Sequence, residues 1–308
     1  MSWLDQLLAF FRITPMTSSL QPNTTPPVVI PAITTGSVTP QVVLSDRVGS
    51  FVVPDIYPGD LGHNPPFKVL PGLHFSGGKE VVGAVIKAAE GTGWGAANEE
   101  WFRHNWREIK NVGGSRYGND WFRGCYSFLR FSADGAKQAD YFCDLVDSAG
   151  GWGNGDLMPW ADVEAGGQGS WAPGEDLSKL SSADKKRLAA DVTRVTSAFV
   201  SRFKKRTGLR IAVYGRGIFR DLSMASCMFG ADAIVNPAYT YAMPKMNQYG
   251  VPLDKIIFWQ LAGDGSVAAK GFEPMIPGWG KTDYSAFLDG ANIPSLSAFR
   301  RRCLARVP

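Results

Sequence analysis

The chain has 308 residues with 44% hydrophobic content, enough to bury a substantial core as one large domain or as one domain plus an appendage. Its net charge of +4 is mild and hides three basic runs, at 185–187, 202–206 and 300–302. We interpret these runs as solvated faces or as a surface suited to an anionic envelope. No DNA- or RNA-binding motif accompanies them, so the sequence does not predict a nucleic-acid partner.

The cysteines and histidines exclude two further kinds of site. The four cysteines, Cys125, Cys143, Cys227 and Cys303, are scattered and lack metal-ligand spacing, and the three histidines, His63, His74 and His104, form no cluster. Cys125 lies in a predicted strand and Cys143 in a predicted helix, so we expect both to be buried thiols rather than parts of a disulfide framework. We expect neither a zinc site nor another metal site. No G-x-G-x-x-G or P-loop motif follows a predicted strand, so we expect no cofactor.

The first 48 residues are predicted to lie outside the folded domain. Residues 2–13 carry apolar side chains at helical spacing, but the segment is too short to span a bilayer and lacks the features of a secretory signal. It would pack on its own domain or a partner, or it would anchor at a membrane surface. Residues 14–48 are rich in Pro, Thr and Ser and indicate a linker. The predicted boundaries are 1–13, 14–48 and 49–308.

From residue 49 onward, strands alternate with helices. Strands are predicted at 51–57, 81–88, 124–128, 157–164, 211–214, 233–235 and 256–260, and helices at 135–146 and 182–207. Pro54 argues against a central position for the first strand. The alternation over about 250 residues predicts an α/β fold, an irregular TIM-like β/α barrel with mainly parallel strands.

The predicted strand at 157–164 ends in two carboxylates, Asp162 and Glu164. Side chains alternate along a strand, so these two share a face, about 6–7 Å apart at their bases. They lie at a C-terminal strand end, where α/β barrels keep their active sites. Two carboxyl groups several ångströms apart suit cleavage of a glycosidic bond. The alternative is a solvated strand end or a cap of the next segment.

Further motifs occur in a fixed order along the chain. They are V-V-P-D-I at 52–56, I-K-A-A-E-G at 86–91, G-C-Y-S-F at 124–128, D-V-E at 162–164, I-A-V-Y-G at 211–215, W-Q at 259–260 and D-Y-S-A-F at 283–287. Each motif alone is common. The ordered set resembles the family 25 glycoside hydrolases, the lysozymes often called the Chalaropsis type.

The resemblance implies a muramidase that cuts the β-1,4 bond between N-acetylmuramic acid and N-acetylglucosamine in bacterial peptidoglycan. It assigns the general acid to Glu164, the supporting carboxylate to Asp162, and two further acids of the pocket to Asp55 and Asp283. At least one of four such carboxyls should keep its proton near neutral pH. The substrate-binding candidates are Tyr57, Tyr126, Trp160, Trp259 and Gln260, although Tyr57 and Trp160 would equally suit the core.

The sequence departs from the family pattern at several places. The usual first motif becomes D-I-Y-P-G-D at 55–60, a proline-rich insertion follows, and the loop between Asn105 and Phe122 is longer than usual. Ser127 replaces a histidine expected on the wall of the cleft. These changes affect the expected substrate preference more than the reaction. The alternative function is a catalytically impaired glycan-binding or structural component of a phage particle on the same barrel.

The biological setting predicted from these features is a phage-encoded lysin or a virion-associated enzyme acting on the cell wall. The N-terminal segment would then contact a phage structural partner or a membrane surface.

Overall fold

The computed structural model describes residues 51–61, 65–71, 73–75, 79–113, 121–167, 177–239, 247–263, 267–268, 273–276, 279–287 and 296–306. The predicted segments 1–13 and 14–48 lie outside these residues, and the domain boundaries stay a prediction. Among the described helices, none has both the length and the apolar character needed to cross a bilayer.

The secondary structure alternates along most of the described chain. The strands are β1 (Phe51–Ile56), β2 (His74–Phe75), β3 (Lys79–Val81), β4 (Gly83–Glu90), β5 (Phe122–Phe128), β6 (Trp160–Asp162), β7 (Ala212–Tyr214), β8 (Ala233–Pro237), β9 (Ile256–Gly263), β10 (Val267–Ala268) and β11 (Asp283–Phe287). The helices are α1 (Pro58–Leu61), α2 (Ala96–Gly113), α3 (Gly135–Ser148), α4 (Ser182–Thr207), α5 (Gly217–Asp221) and α6 (Leu296–Cys303). Short 3-10 helices occur at Phe67–Val69, Leu177–Lys179, Asn247–Tyr249 and Leu253–Lys255.

Eight of the described strands close into a barrel. β1, β4, β5, β6, β7, β8 and β9 pair in parallel in that order. β11 then pairs antiparallel with both β9 and β1 and completes the ring. The predicted irregular TIM-like barrel is confirmed, and its irregularity is this antiparallel closing strand.

Pro54 is the point at which the prediction for β1 was wrong, because β1 is a central strand with β11 on one side and β3 and β4 on the other. β1 pairs with β3 through Val52 and with β4 from Asp55 onward. Pro54 lies between these two stretches, where β1 changes its parallel partner. The missing N–H of a proline is tolerated at such a break in the ladder.

The region predicted as a long loop after Asn105 begins inside helix α2, which spans Ala96–Gly113. Its buried side chains recur at the spacing of one helical face, at Trp101, Phe102, Asn105, Trp106 and Ile109. The periodicity was present in the sequence, but charged residues between the apolar positions concealed it. By contrast, α4 has the predicted bounds, because Ser181 caps its first turn and Gly208 ends it in the left-handed conformation.

Helix α6 packs on the barrel through Phe299. The ring of Phe299 lies 4.8 Å from that of Phe122, 5.1 Å from Phe287, 5.6 Å from Phe51 and 6.0 Å from Phe258, measured between centroids. These four partners come from β5, β11, β1 and β9. The ring of Phe299 therefore fills the space on both sides of β11, the closing seam of the barrel.

Truncation of Phe299 to alanine should lower the free energy of unfolding by about 3–5 kcal/mol, because removal of this fully buried ring would leave a cavity between the four rings that contact it. Chemical denaturation measures this loss. Arg301→Ala, at an exposed position on the same helix, is the control and should change stability little. A loss below about 1 kcal/mol for Phe299→Ala would show that the seam does not depend on this ring.

All four cysteines are buried free thiols, which confirms the prediction made for Cys125 and Cys143.

Candidate active site

A cavity of about 470 Å³ opens where the parallel strands of the barrel end. Its walls are formed by Asp55, Tyr57, Asp60, Lys87, Tyr126, Phe128, Trp160, Asp162, Glu164, Tyr214, Tyr239 and Asp283. Phe128, Asp162 and Tyr214 are the last residues of β5, β6 and β7. The cavity therefore occupies the end of the barrel at which α/β barrels bind their ligands.

The structure brings the four acids singled out from the sequence to this one cavity. Asp60 adds a fifth carboxyl group, and Lys87 is the cationic side chain among the lining residues. The chain as a whole carries a net charge of +4, so this acidic cavity is a local feature that the overall composition conceals.

Asp55 and Asp283 face each other across the antiparallel pair of β1 and β11. The Nε2 of Gln260 donates to both, at 3.1 Å from Asp55 Oδ2 and 3.2 Å from Asp283 Oδ2. Burial raises the pKa of Asp55 well above its ordinary value, and the Asp283 carboxylate raises it further, whereas the bond from Gln260 acts in the opposite direction. Asp55 therefore gains a proton more readily than an exposed carboxylate does.

Asp162 and Glu164 form the second acid pair. Asp162 ends β6 and is 5% exposed, whereas Glu164 follows two residues beyond the strand and is half-buried. Burial, followed by the charge of Glu164, raises the pKa of Asp162 well above its ordinary value, although Lys87 lowers it. Two such neighbours do not both ionise cheaply, so one of the two carboxyls is favoured to keep a proton. Burial favours a proton on Asp162 and the charge of Lys87 opposes it, so the division predicted from the sequence, with the proton on Glu164, stays a prediction.

Hydrogen bonds hold the segment that carries Glu164 against the connection that follows β5. Gly167 N donates to Glu164 O in a turn, and Phe131 N donates to Gly167 O at 2.6 Å. Arg130 donates to Gly166 O at 2.6 Å and also pairs with Glu90. A Cβ on Gly167 would lie 2.4 Å from Leu129 O, so only glycine allows this approach. The turn thereby fixes the backbone beside the acid.

Gly215 serves the same purpose on the other side of β6. Its φ is +146°, and a Cβ there would lie 2.4 Å from Val163 O. Val163 separates Asp162 from Glu164, and its N–H donates to Tyr214 O at 2.9 Å. The short turn expected at Gly215 therefore positions the acid pair.

Three aromatic rings stack side by side along the wall. Trp160 lies 6.4 Å from Tyr126 and 6.1 Å from Tyr214 between ring centroids, with interplanar angles of 23° and 9°. Trp160 is only 2% exposed because both its neighbours and Phe258 cover it. It therefore forms the floor of the cavity, whereas Tyr57 is 46% exposed at the rim.

The sequence placed three residues in or beside the cleft, and the alternation of side chains along their strands turns them in different directions. Neither Gln260 nor its neighbour Trp259 is among the lining residues. Gln260 donates to Asp55 and Asp283, whereas the indole Nε1 of Trp259 donates to Ala238 O at 2.6 Å. Ser127 is fully buried between Tyr126 and Phe128, which both line the cavity. Ser127 therefore points away from the cavity, and its difference from the family's histidine does not alter the wall.

The sequence from residue 75 to 269 matches the family described as Glycosyl hydrolases family 25. The chain belongs to this family. It is therefore a glycoside hydrolase. Asp162, Glu164 and Gln260 lie within the matched span, whereas Asp55 and Asp283 lie outside it and join the cavity through the closing strands β1 and β11.

Solved structures share the fold of this family 25 member. A bacterial lysozyme from Streptomyces coelicolor is 20% identical, with a TM-score of 0.54, over 81% of this chain and 97% of that one. A muramidase from Trichobolus zukalii is 20% identical, with a TM-score of 0.53, over 78% and 95%. A family GH25 lysozyme from Aspergillus fumigatus is 19% identical, with a TM-score of 0.52, over 79% and 96%. A search of curated proteins found no match.

Several lining residues of this hydrolase were missed from the sequence. They are Asp60, Lys87, Phe128, Tyr214 and Tyr239. A signal existed for two of them, because Phe128 and Tyr214 end predicted strands. Lys87 contacts the rings of Phe128 and Trp94, with its Nζ 4.9 and 5.3 Å from their centroids, and forms an ion pair with Glu90. Despite the clustered acids, no three His, Cys, Asp or Glu side chains of the described residues are arranged to hold a metal ion.

Proposed function

We propose that this glycoside hydrolase is a lysozyme that cleaves the β-1,4 bond between N-acetylmuramic acid and N-acetylglucosamine in bacterial peptidoglycan. The observation that carries the proposal is the acid pair Asp162 and Glu164 in the same cavity as Asp55 and Asp283. Membership of family 25 supports the reaction class. The solved structures of the same fold include proteins named lysozyme and muramidase.

We assign the general acid to Glu164. It is the more exposed member of the pair and therefore the one that can reach the oxygen leaving the sugar. As the bond between C1 and this oxygen breaks, the proton of the pair passes to the oxygen, and positive charge develops on the sugar ring. Water later supplies the hydroxyl group on C1 and returns a proton to the pair.

Asp162 is the supporting carboxylate in this assignment. When Glu164 holds the proton, Asp162 is ionised and stabilises the oxocarbenium-like transition state. Lys87 favours this ionised form because its positive charge lowers the pKa of Asp162. Among the described residues, Asp162 Oδ1 is a buried oxygen without a hydrogen-bond partner.

The other lining groups suit a glycan chain. Carboxylate oxygens accept hydrogen bonds from sugar hydroxyls and from the N–H of an acetamido group. Tyr57, with its exposed ring at the rim, is the residue we propose as a stacking platform for a sugar. Tyr126 would contact the sugar from the wall, while Trp160 supports it from below.

Clearing of purified cell walls tests the proposal. The wild-type protein should reduce the turbidity of a wall suspension, and Glu164→Gln should not. Wild-type protein that binds walls without clearing them, together with an equally inert variant, would instead indicate a catalytically impaired glycan-binding or structural module.

We further propose a phage-encoded lysin or virion-associated enzyme of the Chalaropsis type as the biological setting. This proposal rests on the sequence of residues 1–48, an apolar segment joined to the barrel by a Pro/Thr/Ser-rich stretch. That segment would bind a phage structural partner or a membrane surface.

Deletion of residues 1–48 should leave hydrolysis of isolated peptidoglycan within about twofold of the full chain, because the described cavity is formed by later residues. Dye release from labelled walls measures the rate. Loss of folding or of all turnover in the truncated protein would show that the segment belongs to the catalytic domain.

A further inference from the structure

Gln260 is fully buried and uses its whole hydrogen-bonding capacity within the protein. Its Nε2 donates to Asp55 and Asp283, and its Oε1 accepts from the hydroxyls of Tyr214 at 2.7 Å and Tyr239 at 2.9 Å. A side-chain amide has two donor hydrogens and one oxygen with two lone pairs. All four are occupied, so Gln260 cannot bind a sugar without releasing one of these partners.

The position of Gln260 matters because Asp55 and Asp283 are direct cross-strand neighbours. Two half-buried carboxyls at such a position repel each other when ionised, or they share a proton in a direct hydrogen bond. A donor to each carboxylate removes the need for that shared proton. The two tyrosine hydroxyls hold the amide in the one orientation that presents its NH₂ group to the acids.

We propose that Gln260 is a positioning residue that keeps Asp55 and Asp283 as two separate carboxylates and does not itself contact the substrate. This differs from its place among the substrate-binding residues predicted from the sequence. The catalytic consequence rests on the proposed function, but the effect on the two acids does not.

Two substitutions separate the parts of this role. Gln260→Glu keeps an oxygen that can accept from the tyrosines, but it removes the donors and adds a third carboxyl. Gln260→Met fills a similar volume without any hydrogen bond. In both variants the protonation midpoint of Asp55 should rise by about one pH unit or more.

Carbon-13 NMR of protein labelled at the aspartate carboxyls measures this midpoint without any substrate, and Asp55→Asn assigns the signal. Gln138→Glu is the matched control, because Gln138 is a buried amide that binds the backbone of Arg130 and Ala133. It should lower stability without moving the Asp55 midpoint. If neither Gln260 variant folds, Tyr214→Phe loosens the amide by removing one hydroxyl, and it should raise the midpoint by a smaller amount. An unchanged Asp55 midpoint in the folded variants would overturn the proposal.

Kinetics on soluble wall fragments give the second readout. Gln260→Glu should lower kcat by about 100-fold with KM changed by less than about threefold, because the acids rather than the substrate contacts are disturbed. A raised KM with unchanged kcat would show that Gln260 binds the glycan, which contradicts the proposal. If the wild-type protein does not cut the fragments, the proposed function fails, and the NMR titration still decides the role of Gln260.

Discussion

Replacement of Glu164 by glutamine should lower kcat on purified peptidoglycan by about a thousandfold, with a much smaller change in KM. Glutamine keeps the size and polarity of the side chain but carries no transferable proton. The leaving sugar oxygen would then depart as an unprotonated alkoxide, which is a poor leaving group. Release of new reducing ends over time measures the rate.

The matched control for this variant is Glu100→Gln. Glu100 lies on helix α2 with a largely exposed side chain, outside the lining of the cavity. We expect this control to retain wild-type activity and stability. If Glu164→Gln kept more than about a tenth of the wild-type rate, another group would have to supply the proton, and Asp162 would be the first alternative.

Replacement of Asp162 by asparagine should lower kcat by about a hundredfold to a thousandfold. The variant loses the negative charge that supports the oxocarbenium-like transition state and also the carboxyl that interacts electrostatically with Glu164. Its pH–rate profile should therefore change together with its rate. A variant with reduced kcat but an unchanged profile would indicate that the two carboxyls titrate independently.

Asp162→Asn should also show that the raised pKa of Asp162 lowers the stability of the folded protein as the pH rises. The pKa of Asp162 is raised in the folded protein from an ordinary value of 3.8. Its contribution to stability is therefore fully present below that value and is lost as the pH rises toward the folded-state pKa. Asp162→Asn removes this dependence.

The difference in melting temperature between Asp162→Asn and the wild type should therefore become more positive between pH 4 and pH 8. Thermal unfolding followed by circular dichroism at both pH values measures it. A constant difference would mean that the carboxyl of Asp162 titrates alike in the folded and unfolded states.

The features that could be predicted from the sequence are those in which local pattern and fold agree. Helix α4 has a serine cap, a regular apolar face and a terminal glycine, so its bounds follow from local rules. The acids on predicted strand ends meet because parallel strands in a barrel end at the same side. This second rule placed Asp162 and Glu164 at the cavity, whereas Asp55 and Asp283 were assigned to it by the family resemblance, and Asp283 begins the antiparallel strand β11.

The features that could not be predicted depend on distant residues. The floor position of Trp160 is set by rings from β5, β7 and β9, which no local pattern encodes. The four hydrogen-bonding positions of the Gln260 amide are filled by partners that lie far apart in the chain. The division of the proton between Asp162 and Glu164 depends on burial, which alternation along a strand does not report.

The most direct test of the account is the chemical identity of the ends that the protein creates. Purified peptidoglycan digested by the wild-type chain, then reduced and analysed by mass spectrometry, should yield muropeptides that end in reduced N-acetylmuramic acid. Glu164→Gln should yield none above background. Products that end in reduced N-acetylglucosamine, or intact glycan strands after digestion by the wild type, would contradict the assignment of this acidic cavity to muramidase chemistry.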